Sequence, residues 1–332
     1  MDLKSESSTF NGWKLEDVLV GRDWAFQTKE STMSSTHQPI AIIGVTGNQG
    51  SSVLDSLLTT PHPIRALTGN PSKLSHYRQS TLHVQTTDIT SPAQVNAGLK
   101  GVWALFVNTL SDYSKPEGTE EALLKSIIDS AVECGVQYLV LSALPAGMPA
   151  RAYIAKSNAM EYAKQISEKS DLKPIFVQMG WYMSGFSGYM KPIVNPEDGV
   201  VEFRWSTIDD KTYFPLVSAL TDLGPVVKAI LENPEQWINV EIPVVGDVLT
   251  IPQVAEVYSR VTGQPARAVF LDHVPQEAIP QWISRHKGYK EAGYFPKYVG
   301  RETEISDLAR KLNPQMKTFE QWLRDTDFDA RN

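Results

Sequence analysis

A short apolar strand followed by three glycines and a helix constrains this chain more than any other feature. The run Ile40–Val45 is rich in β-branched residues, which is typical of a strand buried on both faces of a parallel sheet. Gly44, Gly47 and Gly50 recur at a spacing of three, and the apolar residues after them lie on one helical face. A strand, a glycine-rich turn and a helix N-terminus together favour a site for a dinucleotide pyrophosphate. The alternative is an ordinary tight turn between a strand and a helix.

Length and charge narrow the class of protein. A chain of 332 residues that is 42% apolar can bury a sizeable core. Its net charge of −7 argues against a broad nucleic-acid surface, and Cys134, the one cysteine, has no disulfide partner within the chain. There is no long apolar stretch, no secretory signal and no metal-ligand spacing among the histidines. We therefore expect a soluble cytoplasmic protein with no metal, no membrane association and no direct nucleic-acid partner.

Strands and helices alternate from residue 39 onward. Runs of β-branched and apolar residues predict further strands at Ile64–Thr68, Leu82–Thr86, Val102–Val107, Tyr138–Leu141 and Ile175–Gln178. One clear helix begins at Thr119, where Thr-Glu-Glu resembles a capping box, and another runs from about Tyr153 to Lys169. Repeated units of this kind predict an α/β fold with a doubly wound parallel sheet.

The two ends of the chain do not share this pattern. Residues 1–38 are rich in Ser and Thr at both ends and predict an N-terminal extension that is flexible. The second half is less regular, and no Pro/Gly linker separates it from the first. We predict one domain over residues 39–325, with a small C-terminal α/β cap that begins near residue 181. The cap would lie over the carboxyl edge of the sheet and form the substrate cleft with it.

The sequence after the second strand bears on the choice of cofactor. An NAD site places an acidic residue there to bind the ribose 2′-hydroxyl. This chain reads LTGNPSK and offers Thr68, Asn70, Ser72 and Lys73 instead of a carboxylate. A lysine with neutral donors suits a 2′-phosphate, which favours NADP(H) over NAD(H). The alternative is a solvated turn with a surface lysine.

Two further strand ends carry polar side chains. Asp88 and Ile89 follow the third strand, where an adenine ring usually packs, and Asn108 and Thr109 follow the fourth. Ligands of parallel sheets bind outside the carboxyl ends of the strands, so these residues are candidates for cofactor contacts.

An aromatic cluster follows the last core strand. Trp181, Tyr182 and Phe186 lie where the rim of the cleft is expected. They could stack on a ring-bearing substrate or pack beneath the cap, and the sequence leaves both open.

These motifs together resemble a known family. The segments IIGVTGNQG, RALTGNPSK, TTDITSP, VNT, YIAKSNAMEYAK and GWYMSGF are similar to those of the NmrA-like group of atypical short-chain dehydrogenases/reductases. The resemblance spans roughly residues 39–325. It implies a Rossmann fold that binds NAD(P). The group includes reductases, quinone-type oxidoreductases and inactive regulators that sense the cofactor.

The resemblance also implies contacts at particular positions. The pyrophosphate contacts would come from the glycine turn, at Gly44, Thr46, Gly47, Asn48, Gln49 and Gly50. The adenine would lie near Asp88 and Ile89, and the nicotinamide side near Asn108, Thr109 and Lys156. Gly69 stands where the family commonly has an arginine, which weakens the expectation of a strong NADP preference.

The family's catalytic pattern is altered. Active short-chain dehydrogenases use Tyr-x-x-x-Lys on one helix, in which the lysine lowers the pKa of the tyrosine and holds the ribose. This chain keeps Lys156, but the residue four before it is Ala152 and the tyrosine is Tyr153, three before it. Residues three apart still share a helix face. We predict Lys156 as the catalytic residue, with Tyr153 or Tyr182 as a proton relay. The alternatives are that Lys156 only orients the nicotinamide ribose or is a solvated helix lysine, and that Tyr153 packs at the start of its helix.

Two functions follow. The first is an NAD(P)(H)-dependent oxidoreductase, acting on a small carbonyl, enone or imine in secondary metabolism. The second is a catalytically inactive NAD(P) sensor that binds a transcription factor or another protein, in which case a nuclear location is open. We favour the enzyme. The glycine turn lacks the Gly-Lys-Ser/Thr ending of a phosphate-loop NTPase.

Overall fold

A seven-stranded parallel sheet forms the centre of the protein. The structure, a computed structural model, describes residues 37–206, 208–272, 289 and 293–331. The N-terminal extension predicted at residues 1–38 lies outside these ranges except for its last two residues. Helices cover both faces of the sheet, which confirms the predicted α/β, doubly wound class.

Thirteen strands lie within the described residues. They are β1 (Ile40–Ile43), β2 (Ile64–Thr68), β3 (Leu82–Thr86), β4 (Ala104–Val107), β5 (Tyr138–Ala143), β6 (Lys173–Met179), β7 (Trp181–Tyr182), β8 (Ile193–Val194), β9 (Val201–Ser206), β10 (Tyr213–Val217), β11 (Glu241–Val244), β12 (Asp247–Thr250) and β13 (Ala266–Leu271). The central sheet has the order β11-β6-β5-β4-β1-β2-β3, and every neighbouring pair in it is parallel. The strand order reverses between β1 and β4, and this is where a ligand crevice opens in such sheets.

Eight α-helices connect or cover these strands in the described part of the chain. They are α1 (Asn48–Leu57), α2 (Pro92–Leu99), α3 (Thr119–Glu133), α4 (Arg151–Ser167), α5 (Leu223–Glu232), α6 (Ile251–Thr262), α7 (Asp307–Leu312) and α8 (Phe319–Thr326). None of them is long and apolar enough to cross a bilayer.

The alternation of side chains in β1 explains the two-sided core. Ile40 and Ile42 point to the face covered by α1 and α5, whereas Ala41 and Ile43 point to the face covered by α2, α3 and α4. All four side chains are fully buried. Because successive residues of a strand face opposite sides, an unbroken apolar run requires helices on both.

A separate aromatic core forms beyond residue 181. Two three-stranded sheets, β12-β10-β7 and β13-β9-β8, pack around it. Its fully buried rings include Trp181, Phe186, Phe203, Phe214 and Tyr258. Stacked and edge-to-face ring pairs of this kind add to the stabilisation from burial.

The predicted capping box at Thr119 is wrong. Helix α3 begins at Thr119, but its N-cap is Gly118, with φ +84°, and the cap makes no side-chain hydrogen bond. The Thr119 hydroxyl instead donates to the carbonyl of Pro116 at 2.7 Å. A turn that ends in left-handed backbone requires glycine at the cap, so the hydroxyl lies one residue too late to cap the helix.

We predict that Gly224→Ala destabilises the contact between α1 and α5. A Cβ at Gly224 would lie 1.9 Å from the Ser52 carbonyl oxygen, and the Gly224 amide donates to the Ser52 hydroxyl at 2.9 Å. Forcing atoms into a packed interface usually costs about 1–3 kcal/mol, so the unfolding temperature measured by calorimetry should fall by several degrees. Gly47→Ala is the control, because the backbone there is extended, with φ −96° and ψ 170°, and its Cβ would meet nothing nearer than 3.5 Å. Equal unfolding temperatures for the two variants would contradict this packing.

Candidate functional site

A cleft of about 480 Å³ opens at the carboxyl edge of the central sheet. Its wall includes Gln49 from the start of α1, Asn108 and Thr109 after β4, and Tyr153 and Lys156 from α4. Trp181 and Tyr182 of β7 also line it. The cleft therefore brings together residues from the glycine turn, the fourth strand and the helix that was predicted to carry catalysis.

Backbone packing requires glycine at two of the three positions in the turn. Gly44 has φ +84°, and a Cβ there would lie 2.3 Å from the carbonyl oxygen of Asn108. A Cβ at Gly50 would lie 2.2 Å from the carbonyl oxygen of Gly44. At Gly47 the nearest atom would be that same oxygen at 3.5 Å, an ordinary contact, and Gly47 is exposed. Packing of the fold therefore does not require glycine at position 47, and the missing side chain leaves the backbone of the turn exposed there.

The first turn of α1 is suited to an anion. Gly47 is the N-cap and supplies no side-chain hydrogen bond, and the first turn carries no acidic residue. Asn48 is exposed and Thr46 is half-buried beside it. The free amides and the positive end of the helix dipole are the groups that bind phosphate at a helix N-terminus.

The loop after β2 is held by its own side chains. The buried Thr68 hydroxyl accepts from the amide of Asn70 at 3.0 Å, and Ser72 donates to the Asn70 side chain at 2.7 Å. Lys73 lies in a short 3₁₀ helix, 71–74, and its side chain is exposed. Residues 69–75 therefore present one cation and several neutral polar groups to solvent.

The segment after β3 lies next to this loop. The amide of Thr87 donates to the carbonyl of Thr68 at 2.9 Å. The Asp88 carboxylate accepts from the amide and the hydroxyl of Thr90, at 2.9 and 2.7 Å, and these bonds lower the pKa of Asp88. Ile89 is half-buried. The predicted adenine contacts thus lie beside the loop that carries Lys73.

Lys156 is part of a buried polar network. Its ammonium lies 3.2 Å from Oε1 of Glu120 and 3.1 Å from the carbonyl oxygen of Thr109. The Thr109 hydroxyl donates to the same carboxylate oxygen at 2.7 Å, and Ser111 donates to the other oxygen. Burial lowers the pKa of Lys156, and the charge of Glu120 opposes that shift. The carboxylate therefore favours the ammonium form in a site that would otherwise disfavour it.

Glu120 was not predicted from the sequence. It lies in the first turn of α3, where Thr-Glu-Glu resembles an ordinary helix start. Its burial, at 8% exposure, and its contacts with Lys156 and Thr109 arise only in the folded protein. A buried acid opposite a buried lysine can hold the charge and the position of that lysine.

Tyr153 and Lys156 reach the same cleft, as their spacing predicts. Tyr153 is 4% exposed and packs edge-to-face on Tyr294 with ring centroids 5.8 Å apart. Ala152 also lines the cleft, at the position where active short-chain dehydrogenases have their tyrosine. The tyrosine of this chain is thus displaced by one residue along α4, and its ring packs against another aromatic ring.

The three aromatic residues after β6 have different surroundings. Tyr182 lines the cleft, and its hydroxyl accepts a hydrogen bond from Nε2 of Gln49 at 2.5 Å. Trp181 also lines the cleft and stacks on Phe214 at 4.8 Å between centroids. Phe186 is fully buried against Phe203, outside the lining of the cleft. Its predicted contact with substrate is therefore replaced by packing in the aromatic core.

Sequence comparison identifies relatives across most of the chain. The model of the NmrA-like family matches residues 36–323. One relative is the NmrA-like family domain-containing oxidoreductase lnbB of Aspergillus flavus, which is 30% identical over 286 residues, or 78% of this chain and 82% of that protein.

Solved structures share the fold. The negative transcriptional regulator NmrA, solved in complex with NADP, gives a TM-score of 0.72 at 21% identity, with 90% of this chain and all of that chain covered. An NADPH-dependent quinone oxidoreductase from Escherichia coli, solved with NADPH, gives 0.68 at 18% identity over 87% of this chain and all of that chain. The family match covers the sheet, the glycine turn and the cleft, and the chain belongs to the NmrA-like family.

Proposed function

We propose that this chain is an NAD(P)(H)-dependent oxidoreductase that moves a hydride to or from a small organic molecule. The observation that carries this proposal is the position of Gln49. It follows the exposed Gly47 in the glycine turn, yet its side chain lines the same cleft as Lys156 and Tyr153. A dinucleotide bound by its pyrophosphate at this turn would extend its nicotinamide end into that cleft.

The residues present fit such a cofactor. Gly44, Thr46, Gly47, Asn48, Gln49 and Gly50 would hold the pyrophosphate through the open turn and the free amides of α1. Asn108, Thr109 and Lys156 would lie on the nicotinamide side, and Asp88 and Ile89 near the adenine. When bound in reduced form, the nicotinamide supplies the hydride.

We propose NADP(H) in preference to NAD(H). Lys73 is an exposed cation, and Thr68, Asn70 and Ser72 add neutral polar groups around it. Residues 69–75 contain no acidic side chain that would repel a 2′-phosphate. NmrA was solved with NAD and also with NADP, and the quinone oxidoreductase was solved with NADPH, so these structures support a nicotinamide cofactor of either kind.

The cleft suits a neutral substrate of the carbonyl, enone or imine type. Among the described residues that line the cleft, Lys156 is the only lysine, arginine, histidine or carboxylic acid. The other lining residues are aromatic, apolar or neutral polar. The buried ammonium of Lys156 can donate a proton to the acceptor atom of the substrate as the hydride arrives. Tyr153 is the second candidate for this step. The aromatic unit beyond residue 181 would serve as the cap over the cleft, with Trp181 and Tyr182 in contact with substrate.

A specific observation favours a second function. Ala152 stands where active short-chain dehydrogenases have their catalytic tyrosine, and Lys156 is already bound by Glu120 and Thr109. A protein with this arrangement could bind NAD(P) without turnover and report the cofactor's redox state to a protein partner. NmrA, which shares the fold and was solved with NADP, is a negative transcriptional regulator. Equal affinity for reduced and oxidised cofactor would remove the basis of a sensor, and turnover of any carbonyl probe would establish the enzyme.

We predict that Gly47→Ala weakens NADPH binding without destabilising the fold. The backbone at Gly47 has φ −96°, which alanine adopts readily, and its Cβ would meet no protein atom closer than 3.5 Å. The methyl group would instead occupy the surface that the pyrophosphate must approach. We expect a loss of about 1.4 kcal/mol in binding free energy, which raises the Kd for NADPH tenfold. NADPH fluorescence titration and the unfolding temperature of the free protein measure the two effects. Ser51→Ala in the same helix is the control, and unchanged affinity in Gly47→Ala would exclude this turn as the phosphate site.

We predict that Lys156→Met abolishes most of the activity. NADPH consumption with 9,10-phenanthrenequinone as the probe should fall by roughly 10²–10⁴-fold in kcat/KM, the range for loss of a general acid. Lys169→Met, at an exposed lysine just beyond α4, should leave activity unchanged. Because Lys156→Met alone leaves Glu120 buried and unpaired, the double variant Lys156→Met/Glu120→Gln checks that the loss is not one of folding. Wild-type rates in the double variant would remove Lys156 from the mechanism.

A further inference from the structure

We propose that the Tyr182 hydroxyl is the hydrogen-bond donor that holds the acceptor atom of the substrate, and that Gln49 fixes its direction. This inference rests on the proposed function and assigns a role within the same cleft. The acceptor atom is a carbonyl oxygen or an imine nitrogen, which has a lone pair and no proton of its own. Tyr182 would touch the substrate, whereas Gln49 would act through Tyr182.

The hydrogen bond to Gln49 determines where the Tyr182 proton can go. Nε2 of Gln49 donates to the phenolic oxygen at 2.5 Å. A phenol has one proton to give, and here its oxygen acts as the acceptor, so that proton must find a different partner. Among the described residues the Tyr182 hydroxyl has no acceptor for it. Both side chains line the cleft, so the donor is available to a molecule bound there.

The backbone keeps Tyr182 in place. It lies in β7, which pairs with β10 so that Tyr182 is opposite Val217. A Cβ at Gly180 would lie 2.7 Å from the carbonyl oxygen of Pro215, so the chain just before β7 packs directly on β10. A donor on a paired strand has little freedom to move, which is the condition for stabilising charge that develops on a substrate.

Gln49 contributes a second sign of a bound group. Its side chain is 5% exposed, and its Oε1 is buried with no hydrogen-bond partner in the described structure. An unpaired buried acceptor is costly in a folded protein unless a ligand or water satisfies it. An N–H or O–H of a bound molecule, beside the atom held by Tyr182, would satisfy this oxygen.

The protonation of Tyr182 agrees with a donor role. Burial raises the pKa of Tyr182 to about 12; the hydrogen bond from Gln49 opposes this rise, and Tyr189 and Tyr153 add smaller increases. The hydroxyl therefore keeps its proton across the neutral range and cannot act as a base there. The pKa of Lys156 is lowered instead of raised. In the proposed reaction Tyr182 binds the acceptor atom, and Lys156 supplies the proton.

The first test is spectroscopic and needs no turnover. The chromophoric aldehyde 4-(dimethylamino)cinnamaldehyde is added to the complex of the protein with NADP⁺. Its absorption band should move to longer wavelength when the carbonyl accepts a hydrogen bond. We expect this shift in the wild type and its loss in Tyr182→Phe. Tyr162→Phe is the matched control, because Tyr162 is a helix-surface tyrosine that donates to Asp129. An equal shift in Tyr182→Phe and the wild type would overturn the proposal.

The second test replaces Gln49 so that residue 49 accepts a hydrogen bond from Tyr182 instead of donating one. In Gln49→Glu the carboxylate would accept the Tyr182 proton and remove it from the substrate. We expect Tyr182→Phe and Gln49→Glu each to lower kcat with 9,10-phenanthrenequinone by about a hundredfold, the usual loss for one such donor. The double variant should lose no more than either single variant, since both changes remove the same donor. Wild-type kcat in Gln49→Glu would overturn the role of Gln49.

NADPH binding separates this proposal from the proposed function. Absence of NADPH binding by the wild type would overturn the function itself. Tight binding in all variants, with kcat unaffected in Tyr182→Phe, would overturn only the role of Tyr182.

Discussion

The close approach of two strand ends is the constraint on which the rest of the structure depends. The carbonyl of Asn108 after β4 lies against Gly44 after β1, and the carbonyl of Gly44 lies against Gly50 in α1. Neither contact leaves room for a Cβ, so the glycines allow the strand, the turn and the helix to pack at this distance. The same packing sets the amides of α1 at the point where the strand order reverses, which is where a parallel sheet opens its crevice.

The charge pair of Lys156 and Glu120 is the second element that organises the cleft. Both side chains are more than nine-tenths buried, and the pair links α4, α3 and the end of β4 through Thr109. Removing one member of a buried pair typically costs about 3–5 kcal/mol, because the other charge is left without compensation. The pair therefore stabilises the wall of the cleft and also holds the one charged group that faces its interior in the described lining.

Local patterns in the sequence were enough to predict six of the seven strands of the central sheet. The seventh, β11, lies in the half of the chain that was predicted to form the cap, so its place at the edge of this sheet was not predicted. The strands at Ile64–Thr68 and Leu82–Thr86 were predicted residue for residue, because apolar alternation and turn residues mark both ends. The cofactor contacts rest on local rules as well, since a glycine turn and the ends of parallel strands occur at fixed places in this fold, and they stay a prediction. The capping box at Thr119 failed because the left-handed Gly118 took the cap position, and the sequence does not show backbone conformation.

Contacts between distant segments could not be predicted in this way. Gln49 and Tyr182 are 133 residues apart, and Lys156 and Thr109 are 47 apart, yet each pair meets inside the cleft. No periodicity encodes such a pair, because each member obeys the pattern of its own helix or strand. The surroundings of Phe186 could not be predicted either. It is an aromatic residue close to Trp181 and Tyr182 in sequence, but it packs in the aromatic core. The chemistry of the cleft thus depends on how the aromatic unit beyond residue 181 meets the sheet.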